Sequence, residues 1–380
     1  MRSFWLKDAR RVVVKIGTSA LTANTRTLNK TRIEWVAEQI AEMRRRGIQT
    51  ILVTSGAIGA GMGRLRLKKR PSKISELQAA ASVGQSLLMK MYEEALRPYG
   101  LPAAQALLTT DDLQNRRRYV NFANALNALF NFGAVPILNE NDAVATEEIR
   151  VGDNDTLSAH TAVAVGADLL ILLSDTDGVF TADPRRRPDA ERIPIIHEID
   201  AETMRMADES PGGYGTQLGT GRLLTKLKAA QTAGSSGIPT ALAHGGRRNS
   251  AIDILDGKDV GTFFIPKGER KTGKKRWISH ALDAKGVLVA DEGARKAVVE
   301  RSASLLPAGV RSATGEFQTG DLVRCVGLDG VEFARGLVNY GAEEINKILG
   351  MRANEIMQTL GYHYADEAIH RDNLVLVENG

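Results

Sequence analysis

One segment of the chain, residues 139–159, reads NENDAVATEEIRVGDNDTLSA and is dense in groups that can bind a cation. It holds six acidic residues and three asparagines but a single cation, Arg150. Capping of the following helix explains only one residue of the cluster at 153–155. The two clusters, at 139–142 and 153–155, could grip an ammonium group, neutralise lysines or hold hydrated Mg²⁺.

Two lysines lie in contexts that could place a positive charge against a phosphate. Lys15 falls inside VVVKIG, near the end of an apolar run, and lysine is rarely interior unless it is paired. Lys15 either extends to solvent at the strand tip or forms a fixed cation. Lys226 follows a glycine-rich stretch in GTGRLLTKLKAA, although lysines exposed on helices are ordinary. The residues alone leave both alternatives open.

Several common types of active site are absent from the sequence. No G-x-x-x-x-G-K-[ST] pattern occurs, and no G-x-G-x-x-G follows a strand pattern. The six histidines show no ligand spacing, and no G-x-S-x-G is present, so neither a protein-ligated metal nor a serine hydrolase is predicted. The glycine-rich turns in KIGTSAL and TSGAIGAGMG either cradle an anion or serve packing. The one cysteine, Cys325, excludes an internal disulfide and a cysteine zinc cluster.

The elements that must position these residues alternate between strands and helices. Apolar runs with little polar alternation predict a parallel sheet covered by helices on both faces. Ligands bind at the carboxyl ends of strands in such sheets, so the chemistry is expected at residues 17–19, 54–60, 139–155 and 174–184. The predicted strands are 11–17, 48–56, 103–108, 134–138, 168–174 and 238–243.

The pattern changes beyond residue 278, where short strands are punctuated by glycine and Asp329-Gly330 marks a hairpin turn. The run PKGERKTGKKR at 266–276 holds six cations and one acid, which is typical of a solvated linker. We therefore predict a catalytic domain at 1–265, a basic linker at 266–284 and a β-rich domain at 285–380.

Composition places the chain among soluble globular proteins, with 43% apolar and 25% charged residues in 380. No uninterrupted apolar run approaches membrane-spanning length, and the N-terminal MRSFWLKDARR lacks the apolar region of a secretory signal. The sequence predicts a cytoplasmic protein without a membrane partner. Residues 285–380 carry 10 Lys and Arg against 14 Asp and Glu, which disfavours attraction to a nucleic-acid backbone.

Six motifs occur in the order found in the amino-acid kinase superfamily. Because of these motifs, the chain resembles the glutamate 5-kinase (gamma-glutamyl kinase) family. They are VVVKIGTSAL, ILVTSGAIGAG, VPILNENDAVAT, VGDNDTLSA, SDTDGVFTADPR and GTGRLLTKLKAA. The pair NENDAVA and VGDNDTLSA is specific to this family rather than to the whole superfamily. The C-terminal region resembles a PUA domain, which many bacterial members carry. The resemblance implies a three-layer αβα sandwich around a mostly parallel sheet.

The resemblance also implies the reaction and its partners. It implies ATP-dependent phosphorylation of the side-chain carboxylate of L-glutamate to gamma-glutamyl phosphate, the first step of proline biosynthesis, with Mg²⁺ as the metal. Proline is implied as a feedback inhibitor, and a homodimer or homotetramer as the assembly. Glutamate-5-semialdehyde dehydrogenase is implied as a partner, and RNA is an open possibility through the PUA-like domain.

The resemblance carries three sets of site residues onto this sequence. The implied catalytic residues are Lys15, Lys226 and Asp155, with Asp155 orienting the two lysines. The implied glutamate-binding residues are Ser55, Gly56, Asn139, Asp142 and Asn154. The implied nucleotide-binding residues are Lys15, Ser174, Asp175, Thr220, Gly221, Arg222, Leu223, Leu224, Thr225 and Lys226.

One position departs from the family pattern, which usually reads Gly-Thr-Gly-Gly-Met where this chain has GTGRL. Arg222 replaces a glycine that allows close approach to phosphate, so its charge either adds to the nucleotide site or points outward.

Two alternatives to a glutamate 5-kinase fit the residues less well. An N-acetylglutamate kinase would bind an acylated, uncharged amine, beside which the Asp142 carboxylate would gain nothing. The free amino acid brings an α-ammonium that needs an anion when buried, so Asp142 favours free glutamate. A protein that acts mainly by binding RNA through residues 285–380 is disfavoured by the acidic balance of that region.

Overall fold

The computed structural model describes residues 2–22, 27–109, 112–113, 116–144, 154–182, 184, 187–200, 203–204, 223–267 and 284–377. The chain divides into two compact units, one of Met1–Gln114 and Phe122–Arg270 and the other of Asn115–Asn121 and Lys271–Gly380. Most of the predicted linker at 266–284 lies outside the described residues. Within the described part, no helix has the length and apolar character required to cross a membrane.

Eight strands of the first unit form one sheet in the described part of the chain. They are β1 (Arg11–Ile16), β2 (Gln49–Val53), β3 (Ala103–Leu108), β4 (Val135–Glu140), β5 (Leu169–Ser174), β6 (Ile195–Ile196), β7 (Thr240–His244) and β8 (Thr262–Phe264). Their order is β3-β4-β2-β1-β5-β7-β8-β6. Neighbours from β3 to β7 are parallel, while β8 is antiparallel to β7. The six predicted strands all form, and the parallel sheet is confirmed; β6 and β8 are additional.

Helices connect these strands and cover the sheet. They are α1 (Arg2–Leu6), α2 (Thr18–Thr22), α3 (Lys30–Arg45), α4 (Ala57–Arg64), α5 (Ile74–Leu96), α6 (Arg116–Asn131), α7 (Asn154–Val165), α8 (Leu223–Ser235) and α9 (Ser250–Leu255). Val12, Val14 and Ile16 of β1 belong to the same buried core as α3 and α5. Side chains alternate across a strand, so Lys15 points to the opposite face, where α7 contacts β1.

Residues 284–377 contain β9 (Gly286–Ala290), α10 (Glu292–Arg301), β10 (Val310–Gly315), β11 (Leu322–Val326), β12 (Glu332–Leu337), α11 (Ala342–Ile348), α12 (Ala353–Leu360) and β13 (Leu374–Leu376). The five strands form a second sheet in the order β10-β9-β11-β12-β13. The turn predicted at Asp329-Gly330 is confirmed, because β11 and β12 pair antiparallel and the N–H of Gly327 donates to the Val331 carbonyl at 2.9 Å. Three helices of this unit were not predicted.

Candidate active site

Three charged side chains from distant parts of the sequence meet at the carboxyl end of the sheet. Lys15 projects from β1, Asp155 lies in the first turn of α7, and Lys226 lies in the first turn of α8. The Lys15 Nζ lies 2.6 Å from Asp155 Oδ1, and the Lys226 Nζ lies 3.2 Å from Asp155 Oδ2. Their exposed fractions are only 5%, 1% and 4% for Lys15, Asp155 and Lys226. The structure thus brings the three predicted catalytic residues together.

The electrostatics of this cluster fix the state of its carboxylate. Burial would raise the pKa of Asp155, but Lys15 and Lys226 hold that pKa well below its ordinary value. The Thr225 hydroxyl adds a hydrogen bond of 2.8 Å to Asp155 Oδ2. Counted over these three side chains alone, two ammonium groups face one carboxylate, which is an excess of one positive charge. Such a surplus is costly unless an anion completes the site, so the cluster is suited to a phosphoryl group.

A network of uncharged hydrogen bonds lies directly beside the charged cluster. The Asn154 Nδ2 lies 2.6 Å from the Thr54 carbonyl, 2.9 Å from Ser55 Oγ and 2.8 Å from Asn139 Oδ1, so its two N–H groups are shared among three acceptors. Asn154 precedes Asp155 on α7, so adjacent residues of one helix belong to the two clusters. Three predicted glutamate-binding residues, Ser55, Asn139 and Asn154, are therefore joined by hydrogen bonds.

The main chain at Gly56 allows this arrangement at the end of β2. Gly56 has a φ of 105°, a conformation that favours glycine, and it directly precedes α4. A Cβ at this position would lie 3.0 Å from Leu28 Cδ2, so a side chain would be strained and crowded. The predicted site residue Gly56 thus sets the turn that presents Ser55.

Asp142 lies two residues beyond β4 and is half-buried. Burial raises the pKa of its carboxyl to about 6, and the positive charge of Arg70 opposes this rise. A cationic ligand beside Asp142 would favour the ionised form in the same way that Arg70 does. An ammonium group beside Asp142 would therefore lower the pKa of this carboxyl and pair with its ionised form.

The predicted nucleotide residues are described only in part. At the end of β5, the Ser174 hydroxyl donates to Asp175 Oδ1 at 3.0 Å. Leu223 and Leu224 begin α8, and Thr225 contacts Asp155 in addition to its predicted place in the nucleotide segment. The remaining predicted residues, Thr220, Gly221 and Arg222, lie outside the described part of the chain.

The structure adds two residues of α5 that sequence reasoning missed. Asn139 Nδ2 donates to Gln85 Oε1 at 2.8 Å, and the Thr54 and Tyr92 hydroxyls lie 2.8 Å apart. Gln85 and Tyr92 are seven residues apart and share one face of the helix. A glutamine on the stripe that includes the buried Leu88 and Tyr92 is the signal that could have indicated a polar contact.

Comparisons with known proteins identify the family of the chain. The amino acid kinase family model matches residues 10–244, and the PUA domain model matches residues 286–360. Glutamate 5-kinase from Geobacter sulfurreducens is 46% identical over 377 residues, which cover 99% of this chain and 100% of that protein. The Moorella thermoacetica glutamate 5-kinase is 47% identical over 372 residues, covering 98% and 97%. The Thermus thermophilus glutamate 5-kinase is 46% identical over 371 residues, covering 98% of each chain. The chain therefore belongs to the glutamate 5-kinase family of the amino acid kinases and carries a PUA domain.

Proposed function

We propose that this chain transfers the γ-phosphoryl group of ATP to the side-chain carboxylate of L-glutamate. The products are γ-glutamyl phosphate and ADP, and the reaction is the first step of proline biosynthesis in the cytoplasm. Membership of the glutamate 5-kinase family supports this function. The observation that carries the mechanism is the buried pair Lys15 and Lys226 on one carboxylate, Asp155.

The two lysines stabilise the group that moves. Phosphoryl transfer depends chiefly on alignment and on compensation of charge, because the transferred group carries its charge on three oxygens. Lys15 and Lys226 supply fixed positive charge for those oxygens, and Asp155 holds both side chains in place. Because Asp155 is itself buried, little rearrangement is required when the substrates bind.

No general base is required for this reaction. The glutamate side-chain carboxylate is already anionic, so one of its oxygens forms a bond to the γ-phosphorus while the bond to the β–γ bridging oxygen breaks. The electron pair of the broken bond leaves with ADP, and no proton is transferred. Asp155 acts as a positioning residue for the lysines rather than as a base.

The amide network and Asp142 bind the acceptor. The glutamate site lies beside the transfer centre of Lys15, Asp155 and Lys226. Its walls are formed by Ser55, Gly56, Asn139 and Asn154. Asp142 pairs with the α-ammonium group. An N-acetylated substrate would bring no charge to Asp142. The site therefore favours the free amino acid over N-acetylglutamate.

The nucleotide occupies the other side of the transfer centre. The residues proposed to bind it are Lys15, Ser174, Asp175, Thr220, Gly221, Arg222, Leu223, Leu224, Thr225 and Lys226. Among the described residues, no group of three or more His, Cys, Asp or Glu side chains is placed to hold a metal. Mg²⁺ needs few protein ligands, so we propose that it enters with ATP, held mainly by phosphates and water, and supplies further charge compensation.

Family membership supports three further proposals about regulation and assembly. Proline inhibits the enzyme, the chain forms a homodimer or homotetramer, and glutamate-5-semialdehyde dehydrogenase receives the product. An acyl phosphate hydrolyses readily in water, which gives direct transfer to that enzyme a chemical rationale.

The function is tested by trapping the product with hydroxylamine. The purified chain is supplied with MgATP and with L-glutamate, N-acetylglutamate or L-aspartate in parallel, and the acyl hydroxamate and ADP are measured. We expect hydroxamate with L-glutamate and at least about tenfold less kcat/KM with the other two. N-acetylglutamate brings no ammonium group to Asp142, and L-aspartate is one methylene shorter, so it cannot reach both ends of the site. Higher turnover of N-acetylglutamate would overturn the assignment.

A further inference from the structure

The hydrogen bonds to main-chain groups settle which way the buried amides point. The Asn154 amide contacts the Thr54 carbonyl, which can only accept, so the contacting atom is the nitrogen. The Asn139 amide contacts the N–H of Glu140 at 2.9 Å, which can only donate, so that atom is the oxygen. The orientation of both asparagines follows from these two main-chain groups.

The orientation of the Asn139 amide determines the orientation of the Gln85 amide on α5. Because Asn139 Oδ1 accepts from the Glu140 N–H, the Asn139 atom that faces Gln85, at 2.8 Å, is Nδ2. Nδ2 can only donate, so the Gln85 atom that it contacts is Oε1. The Gln85 Nε2 is therefore directed away from Asn139. This nitrogen is buried and has no hydrogen-bond acceptor among the described residues. Asn154 Oδ1 is likewise buried and finds no donor in the same part of the chain.

One network thus contains one unused donor and one unused acceptor. Buried polar atoms are almost always paired, and an unpaired atom in a native structure indicates a missing ligand, water or ion. An α-amino acid offers the complement of both atoms, because its carboxylate accepts hydrogen bonds and its ammonium donates them. The two groups are attached to the same carbon of the ligand.

The helix that carries Gln85 is held rigidly at this point. A Cβ on the neighbouring Gly84 would lie 1.8 Å from the Ala57 carbonyl oxygen, and one on Gly61 would lie 1.7 Å from the Ala80 carbonyl oxygen. The backbones of α4 and α5 therefore touch directly beside the turn at Gly56. This contact fixes Gln85 before a ligand arrives, as specific recognition requires.

We propose that Gln85 is a specificity-determining residue that donates a hydrogen bond to the α-carboxylate of the acceptor amino acid, an inference that rests on the proposed function. The γ-carboxylate must lie at Lys15 and Lys226, where transfer occurs. Gln85 is separated from that centre by Asn139 and Asn154, so the carboxylate it meets is the one at the other end of the ligand. Asn154 Oδ1 accepts from the α-ammonium in the same arrangement.

The deciding variant is Gln85→Glu, measured by steady-state kinetics with L-glutamate. This change keeps the oxygen that accepts from Asn139 and replaces only the amide nitrogen, so a purely structural role predicts nearly unchanged kinetics. Recognition of a carboxylate predicts a KM for glutamate raised about 100-fold, because two like charges would face each other, with kcat changed less than about threefold. Gln85→Met should raise this KM about tenfold through the lost donor.

Matched controls separate recognition from folding and from the proposed function. Gln358→Glu changes an exposed glutamine of α12 and should leave KM unchanged. As competitive inhibitors, glutarate should bind the Gln85→Glu protein more weakly, while 4-aminobutyrate, which lacks the α-carboxylate, should not. If wild-type protein forms γ-glutamyl hydroxamate and Gln85→Glu keeps the wild-type KM, this inference is wrong and the function stands. If wild-type protein forms none, the function and this inference fail together.

Discussion

The transfer centre, formed by Lys15, Asp155 and Lys226, differs from the acceptor network, formed by Ser55, Asn139, Asn154 and Gln85, in how completely the polar groups are paired. At the transfer centre, the ammonium groups of Lys15 and Lys226 both have the Asp155 carboxylate as a partner before any ligand is present. In the acceptor network, the amides of Asn154 and Gln85 each keep one buried atom without a partner in the described chain. The first region is therefore assembled for the chemical step, whereas the second is incomplete until a ligand binds.

This difference separates the effects expected on kcat from those expected on KM. Charge that is fixed before binding acts on the moving phosphoryl group and lowers the barrier. Hydrogen bonds that form only with the ligand act mainly on affinity and on selection among amino acids. Substitutions in the two regions test whether this division holds.

The largest effect is expected for Asp155→Asn. The change preserves shape but leaves two buried ammonium groups without an anion, so the free energy of unfolding should fall by about 3–5 kcal/mol. The lysines also lose their common anchor, so kcat should fall about 10³-fold. Urea unfolding and steady-state kinetics measure the two effects. As the control, Asp256→Asn removes the partner of a half-exposed pair with Arg46 and should cost less than about 1 kcal/mol without changing kcat.

Lys15→Met should have the next largest effect and should act on kcat. Methionine keeps the length of the side chain but removes the charge, and Lys226 still neutralises Asp155. We expect kcat to fall about 100-fold, or about 2.7 kcal/mol, with the KM for glutamate changed less than about threefold. Lys90→Met, which removes an exposed lysine of α5, is the control. Wild-type turnover in the Lys15 variant would exclude this residue from the transfer step.

The positions of the charged residues could be predicted from the sequence because strong local patterns carry them. The apolar run around Lys15 identifies a buried strand, and the carboxyl ends of parallel strands locate the site. The meeting of Lys226 with Asp155 across 71 residues of sequence is a tertiary contact. No local pattern encodes it, and only the family resemblance implied it.

The missed elements had weaker signals for identifiable reasons. Gln85 lies within a regular helical pattern, and its contact with Asn139 across 54 residues depends on how α4 and α5 pack. The helices α10, α11 and α12 have 10, 7 and 8 residues, which is shorter than the window in which helical periodicity becomes distinct. The alternating strands around them dominate the pattern of that unit.

A third prediction uses the acceptor side and concerns pH. Asp142 has a pKa of about 6, and only its ionised form attracts the α-ammonium. Below about pH 6, kcat/KM for glutamate should therefore fall by about tenfold per pH unit. Asp142→Asn should raise the KM for glutamate about 10- to 100-fold at pH 7.5 and abolish this pH dependence, because the lost contact is a charge-assisted hydrogen bond.

Two measurements sharpen the Asp142 test. The KM for ATP should change less than about twofold in the Asp142 variant, because the nucleotide lies on the other side of the transfer centre. Glutarate has no ammonium group, so its inhibition constant should not rise as Asp142 is protonated below pH 6, even in wild-type protein. An equal rise in both KM values would contradict the assignment of Asp142 to the acceptor.

The smallest effect is expected for Tyr92→Phe, which removes the hydroxyl contact between Tyr92 and Thr54 beside the acceptor network. Tyr92 is fully buried, burial raises the pKa of its hydroxyl, and that hydroxyl lies 2.8 Å from Thr54 Oγ1. Tyr92→Phe should reduce the free energy of unfolding by about 1–2 kcal/mol, because the Thr54 hydroxyl loses its near partner. The KM for glutamate should change less than about threefold, since the carbonyl of Thr54, rather than its hydroxyl, holds Asn154.

A double-substitution cycle shows whether this cost arises from the hydrogen bond itself. Replacing both groups, in Tyr92→Phe with Thr54→Val, removes donor and acceptor together and should recover most of the lost stability. A double variant that is less stable than the sum of the single changes would mean that packing around Tyr92 dominates. If Tyr92→Phe alone raised the KM for glutamate tenfold or more, glutamate binding would depend on the Thr54–Tyr92 hydrogen bond as strongly as on direct contacts with the ligand. The division between a preassembled transfer centre and a ligand-completed acceptor site would then fail.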